Sequence, residues 1–137
     1  LEAKNRLARI GFDRVVGFLQ HPYVVMLDHP DRVRHASRMT AVEFDARRDE
    51  IDGLQLVDIR NPGEVALGAI GGATTIPVGQ LPGRLAELDP AAPTVVYCAG
   101  GYRSSVAASV LRQAGFTDVS DVLGGYGAWQ EVQPSLA

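Results

Sequence analysis

The chain of 137 residues carries one cysteine, Cys98, and its neighbours are those a reactive thiol needs. It is followed by Ala99–Gly100–Gly101–Tyr102–Arg103–Ser104. The apolar run Thr94–Val95–Val96–Tyr97 leads in, and a helix-like run from Ser104 to Ala114 leads out. The thiol is therefore expected where a buried strand turns into a helix. The first N–H groups of a helix lack intrahelical partners, and the positive end of the helix dipole lies there. Both effects favour a sulfur anion, the reactive form of cysteine. Gly100 and Gly101 let the backbone take conformations that other residues resist. A ring of inward N–H groups from Ala99 to Ser104 can then form a nest for an anion. Arg103 adds a permanent charge and a fork of donors at the rim.

Four residues separate Cys98 from Arg103. Cysteine-dependent phosphatases use a loop one residue longer, which makes room for a phosphate. The shorter loop suits a smaller load, such as one extra sulfur atom on the cysteine.

The elements that must hold this loop follow from patterning. Strands are expected at Tyr23–Leu27, Leu54–Ile59, Thr74–Val78, Thr94–Tyr97 and Val119–Leu123. Thr40-Ala41-Val42-Glu43 reads as a capping box that opens a helix to about Arg48. Pro62 is placed to start a short helix after the Asn61 turn. Leu81–Leu88 and Gly127–Val132 are further helical candidates. On the helix after Cys98, Val106, Val110, Leu111 and Ala114 share a face. Gly115 is expected to end that helix with a left-handed cap, and Phe116 to pack back. Strands alternating with helices imply a central parallel sheet covered on both faces. Sites in such sheets lie off the carboxyl ends of strands, where Cys98 falls.

These motifs together resemble the rhodanese-like sulfurtransferases, whose active-site loop reads Cys-x-x-Gly-x-Arg-Ser. Leu56–Val57–Asp58–Ile59–Arg60 is similar to that family's Asp-Val-Arg strand end. Glu64, Gly68, Ile70, Gly72–Ala73 and Ile76–Pro77 fall where the family carries Glu, Gly-His-Ile, Gly-Ala and Ile-Pro. Leu123–Gly124–Gly125 with Trp129 resembles its closing motif. The chain departs from the family at Ala69–Ile70–Gly71–Gly72–Ala73, where the usual histidine and proline are missing. The resemblance covers roughly Thr40 to Trp129. It implies a rhodanese-like three-layer α/β/α fold, with Cys98 as the catalytic residue that carries sulfur as a persulfide. Ala99, Gly100, Gly101, Tyr102, Arg103 and Ser104 would bind substrate, and Asp58 and Arg60 would support the loop as an ion pair. No metal or other cofactor is expected, and His21, His29 and His35 are not spaced as a metal cluster.

Arg6–Leu7–Ala8–Arg9–Ile10–Gly11–Phe12–Asp13–Arg14–Val15 resembles the segment that joins a metallo-β-lactamase-like domain to a rhodanese domain in bacterial fusion proteins. The expected division is a linker or terminal helix over 1–22 and a rhodanese-like domain over 23–137. The chain opens at Leu1–Glu2 without an initiator Met, as a fragment would, and an upstream domain of the persulfide dioxygenase type is a possible partner.

Composition narrows the rest. A net charge of −3 gives no nucleic-acid surface. No apolar run approaches a membrane span. A lone cysteine excludes an internal disulfide and fits a reducing cytoplasm. The expected partners are a small sulfur donor, thiosulfate or a glutathione-like persulfide, and a thiol or cyanide acceptor. Two alternatives stand beside catalysis: a non-catalytic docking or regulatory module of a larger hydrolase or dioxygenase, and a phosphatase of related fold.

Overall fold

Strands of only two to four residues suffice here because each pairs in register with its neighbours. The computed structural model describes residues 2–33 and 35–133. It divides into two compact units, Leu1–His35 and Ala36–Ala137. The second unit holds a five-stranded sheet of order β1-β5-β4-β2-β3 with all four pairings parallel. The strands are β1 (Ser37–Met39), β2 (Gln55–Asp58), β3 (Thr74–Thr75), β4 (Thr94–Tyr97) and β5 (Val119–Val122). All four residues of β4 and all four of β5 are buried, as strands covered on both faces must be.

Side chains alternate across the sheet. Leu56, Val95 and Tyr97 join one core cluster with Phe44 of α3 (Ala41–Arg47). Ala128, Trp129 and Val132 of α6 (Gly125–Val132) pack against it. Val57 and Val96 point the other way and are fully buried too. The helix after Cys98, α5 (Tyr102–Gln113), packs on β4 and β5. The sheet is thus the middle of three layers.

The local signals work as expected at several ends. Thr40 caps α3 with its side chain accepting from the Glu43 N–H at 3.1 Å, and Glu43 returns the contact to the Thr40 N–H at 2.8 Å. A second capping box joins Asn61 and Glu64 around Pro62 in α4 (Pro62–Val65). Gly115 takes φ +98°, and Phe116 donates to the Leu111 carbonyl at 3.1 Å as it packs inward.

Four expectations are corrected. Tyr23–Leu27 is not a strand: it lies in the helix α2 (Pro22–Asp28), and none of its residues is buried. Pro22 occupies the first helical turn, where a missing N–H costs nothing. A five-residue apolar run has too little periodicity to separate strand from helix. The first strand comes instead at Ser37–Met39. Second, α5 buries Ser104, Ala107, Ala108 and Leu111, while Ala114 is exposed. The helix thus buries three small residues and one leucine rather than its valines. Third, Leu81–Leu88 forms two 3-10 turns, Leu81–Gly83 and Leu85–Glu87, rather than a helix. Fourth, the strand expected over Thr74–Val78 is regular only at Thr74–Thr75. Ile76 and Val78 still donate to the Asp58 and Ile59 carbonyls, so the chain stays beside β2.

In the first unit, α1 (Glu2–Ala8) buries no side chain and carries an ion pair between Arg6 and Glu2. The helix ends at Ala8, ahead of Gly11, which takes φ +89°.

Candidate active site at the carboxyl end of the central strand

Cys98 directly follows β4, the middle strand, and the chain then turns over residues 99–101 into α5. The turn is possible because Gly101, the cap of α5, takes φ +90°. Its N–H donates to the Cys98 Sγ at 3.1 Å. The thiol in turn contacts the Ser104 Oγ at 3.6 Å, and that hydroxyl donates to the Gly101 carbonyl at 3.1 Å. The sulfur is therefore held at the start of the helix, within hydrogen-bond reach of the Gly101 N–H. Cys98 is 1% exposed, while Ala99, Gly100 and Tyr102 are exposed and Arg103 is half-buried. Tyr102, at the first turn of α5, stands 55% exposed at the rim.

Arg103 turns to Glu64 on α4, its two terminal nitrogens donating to the two carboxylate oxygens at 2.7 and 2.6 Å. This two-pronged bond lowers the Glu64 carboxyl to about 2, and the Arg103 guanidinium is held further charged, first by Glu64 and then by the Cys98 sulfur. The loop's only cation thus closes the loop against the neighbouring strand's connection and touches the sulfur's field from there.

Asp58 and Arg60 form an ion pair. Arg60 donates to Asp58 at 2.9, 3.0 and 2.6 Å, and both side chains are almost wholly buried. Arg60 also donates to the Gly68 carbonyl at 2.7 Å. Its guanidinium lies 4.1 Å from the centroid of the Tyr126 ring and 5.5 Å from that of Tyr97. Tyr126 stacks in turn on Tyr97 and Trp129. The pair therefore braces the 64–68 segment and this aromatic column, and reaches the cysteine loop only through them. The Tyr97 hydroxyl accepts from the Ile70 N–H at 3.1 Å, and burial pushes its phenol up. That bond fixes the 69–73 segment where the family's histidine and proline are absent.

Two pairings escaped the sequence. Glu64 lies 39 residues from Arg103, with no local pattern to join them. The amino end of α6 also binds the loop: the Tyr126 N–H donates to the Cys98 carbonyl at 2.7 Å and the Gly127 N–H to the Ala99 carbonyl at 3.1 Å. The glycine pair Gly124–Gly125 was the available signal. A cleft of about 330 Å³ lined by Arg38, Arg47, Thr94 and Asp118 opens at the opposite, amino ends of the strands, away from Cys98. Among the described residues no cluster of side chains is arranged to hold a metal ion, and no helix is long and apolar enough to cross a membrane.

Residues 40–132 match the rhodanese-like domain family. The chain is 40% identical over 90 residues to the thiosulfate sulfurtransferase GlpE of Pseudomonas paraeruginosa, covering 66% of this chain and 82% of that protein. It is 37% identical over 83 residues to a sulfurtransferase of Allochromatium vinosum, covering 61% and 78%. The crystal structure of a rhodanese-like domain protein from Staphylococcus aureus superposes with a TM-score of 0.64 at 32% identity, over 68% of this chain and 90% of that one.

Proposed function

The chain belongs to the rhodanese-like domain family and is a sulfurtransferase, and from that premise we propose that Cys98 carries the transferred sulfur as a persulfide. The Cys98 thiolate attacks the outer sulfur of a donor. A new S–S bond forms, the donor's S–S bond breaks, and the leaving group departs with the electron pair: sulfite from thiosulfate, a thiolate from an organic persulfide. An acceptor thiolate or cyanide then attacks the outer sulfur of the persulfide, and Cys98 leaves as thiolate. The two steps balance without an oxidant, as covalent catalysis by alternating free and loaded enzyme requires. Residues Ala99 to Ser104 receive the charge that develops on the outer sulfur and on the leaving group.

The observation that supports this most is the 3.1 Å bond from the Gly101 N–H to Sγ at a strand-to-helix junction. A thiol with a merely structural role has no need of a donor aimed at it. Incubation with thiosulfate or glutathione persulfide should add one sulfur atom to Cys98, read by intact-mass spectrometry, and Cys98→Ser should take none. A wild-type protein that gains no sulfur from either donor overturns the proposal and leaves the docking-module reading. The four-residue spacing from Cys98 to Arg103 disfavours phosphate as the load.

The uncharged residues Ala99 to Tyr102 and the pairing of Arg103 with Glu64 leave little free positive charge at the mouth, which favours a thiol-bound persulfide over the thiosulfate dianion. The resemblance of Arg6–Val15 to a fusion linker supports an upstream metallo-β-lactamase-like partner that supplies or consumes such a persulfide. The full reading frame tests this directly. A free catalytic thiol also suits a reducing, cytoplasmic setting.

A further inference from the structure

We infer that the amino end of α6 sets the anion-binding geometry of the cysteine loop, so that Gly125, Tyr126 and Gly127 are positioning residues for the sulfur transfer proposed above, on which this inference rests. The Tyr126 and Gly127 N–H groups bind the carbonyls of Cys98 and Ala99 at 2.7 and 3.1 Å. Every described peptide here is trans, and in a trans peptide the N–H points opposite to the carbonyl of the preceding residue. Fixing the Cys98 carbonyl towards α6 therefore turns the Ala99 N–H away from α6. Fixing the Ala99 carbonyl does the same to the Gly100 N–H. Among the described residues neither N–H meets a protein acceptor. Both belong to exposed residues beside the sulfur that the Gly101 N–H already contacts. They are the donors left over for a second, charged sulfur atom on Cys98.

The contact exists only because the facing residues lack side chains. A Cβ on Gly125 would lie 2.1 Å from the Cys98 carbonyl oxygen and 2.9 Å from the Ala99 carbonyl carbon and oxygen. A Cβ on Gly101 would lie 3.0 Å from the Gly124 nitrogen. The glycine pair before α6 is thus more than a turn: it lets a helix end approach the loop from behind and hold its carbonyls.

Gly125→Ala, at φ +59°, tests this against Gly53→Ala, at φ +69°, which imposes similar backbone strain but meets nothing within 4 Å. The expected result is a fall in kcat of about 10²-fold for Gly125→Ala, the scale of one misplaced oxyanion donor, with the donor KM little changed. The Gly53→Ala protein should keep wild-type kcat. Equal kcat values for the two variants overturn the inference. A measurement on the wild-type chain guards against a variant that fails to fold. On loading with thiosulfate or glutathione persulfide, the Ala99 and Gly100 amide protons should shift in the NMR spectrum, while those of Tyr126 and Gly127 stay protected from exchange in both forms. A protein that loads sulfur without moving the Ala99 and Gly100 resonances overturns this inference alone. A protein that does not load overturns it together with the proposed function.

Discussion

Two arginine–carboxylate pairs support the cysteine loop, one from within it and one through the aromatic column behind it, and they differ in burial rather than in geometry. Arg60–Asp58 and Arg103–Glu64 are both two-pronged, with shortest contacts of 2.6 Å. The first pair is 3% and 0% exposed, the second 22% and 35%. A buried pair repays its desolvation only when every donor finds a partner. Arg60 meets that demand with Asp58, the Gly68 carbonyl and the faces of two tyrosines. The half-exposed pair has no such debt, since water solvates what Glu64 does not. The inner pair is a fixed part of the fold, and the outer one a latch on a loop that must admit substrate.

The largest expected effect breaks the inner pair. Asp58→Asn keeps the shape and removes the charge, leaving the buried Arg60 charged between the buried Tyr97 ring and the half-buried Tyr126 ring. It should cost about 3–5 kcal/mol of unfolding free energy, measured by urea denaturation. A loss below about 1 kcal/mol would mean that Arg60 escapes to water and that the contrast between the pairs is wrong.

Next in size is the aromatic column. Tyr126→Leu removes the ring beneath the Arg60 guanidinium and should cost about 2 kcal/mol or more, from lost cation–π and packing contacts. Tyr126→Phe keeps the ring and should lose less than half as much in the same denaturation experiment. Equal losses would assign the effect to the hydroxyl, which sits against Gly68, rather than to the face of the ring.

The outer pair yields a smaller stability change and a separate functional one. Arg103→Lys replaces a fork by a point charge and should cost about 0–1 kcal/mol of stability, as partly exposed pairs do. Sulfur loading should fall about tenfold, a change of roughly 1.4 kcal/mol in the barrier. A loading rate equal to wild type would show that the latch does not shape the site.

The same contrast separates what the sequence makes legible from what it does not. Cys98, Gly101 and Arg103 are neighbours in the chain, so strand, turn and helix signals place them without any tertiary knowledge. The Thr40–Glu43 and Asn61–Glu64 capping boxes are likewise local. Asp58 and Arg60, two residues apart, could be read as a pair. Arg103–Glu64 could not, because it depends on β2 and β4 being adjacent in the sheet, and strand order leaves no local mark. β1 offers one buried residue in three, too few to form a pattern, whereas Tyr23–Leu27 offers a continuous apolar run that belongs to an exposed helix. The buried face of α5 keeps Leu111 but departs from the hydrophobic pattern at its other positions for a related reason. Valine and leucine mark a core by hydrophobicity, but close approach to β4 and β5 selects Ser104, Ala107 and Ala108 for their size.

The smallest effect is the most diagnostic of the latch. The Arg103 bond lowers the Glu64 carboxyl from an ordinary 4.5 to about 2 in the folded chain. A carboxyl with a lowered folded value binds protons more readily when unfolded, so its stabilising contribution is complete above 4.5. It declines as pH falls from 4.5 towards 2, and below 2 nothing remains of it. The stability difference between wild type and Glu64→Gln, measured by thermal unfolding at matched ionic strength, should therefore be constant above pH 5, shrink between 4.5 and 2, and vanish below that. Added salt should reduce the plateau, because a pair exposed to this degree is screened. A difference that grows as the pH falls, or that persists at pH 1.5, would mean that Glu64 acts through its neutral hydrogen bonds to Asn61 rather than through Arg103.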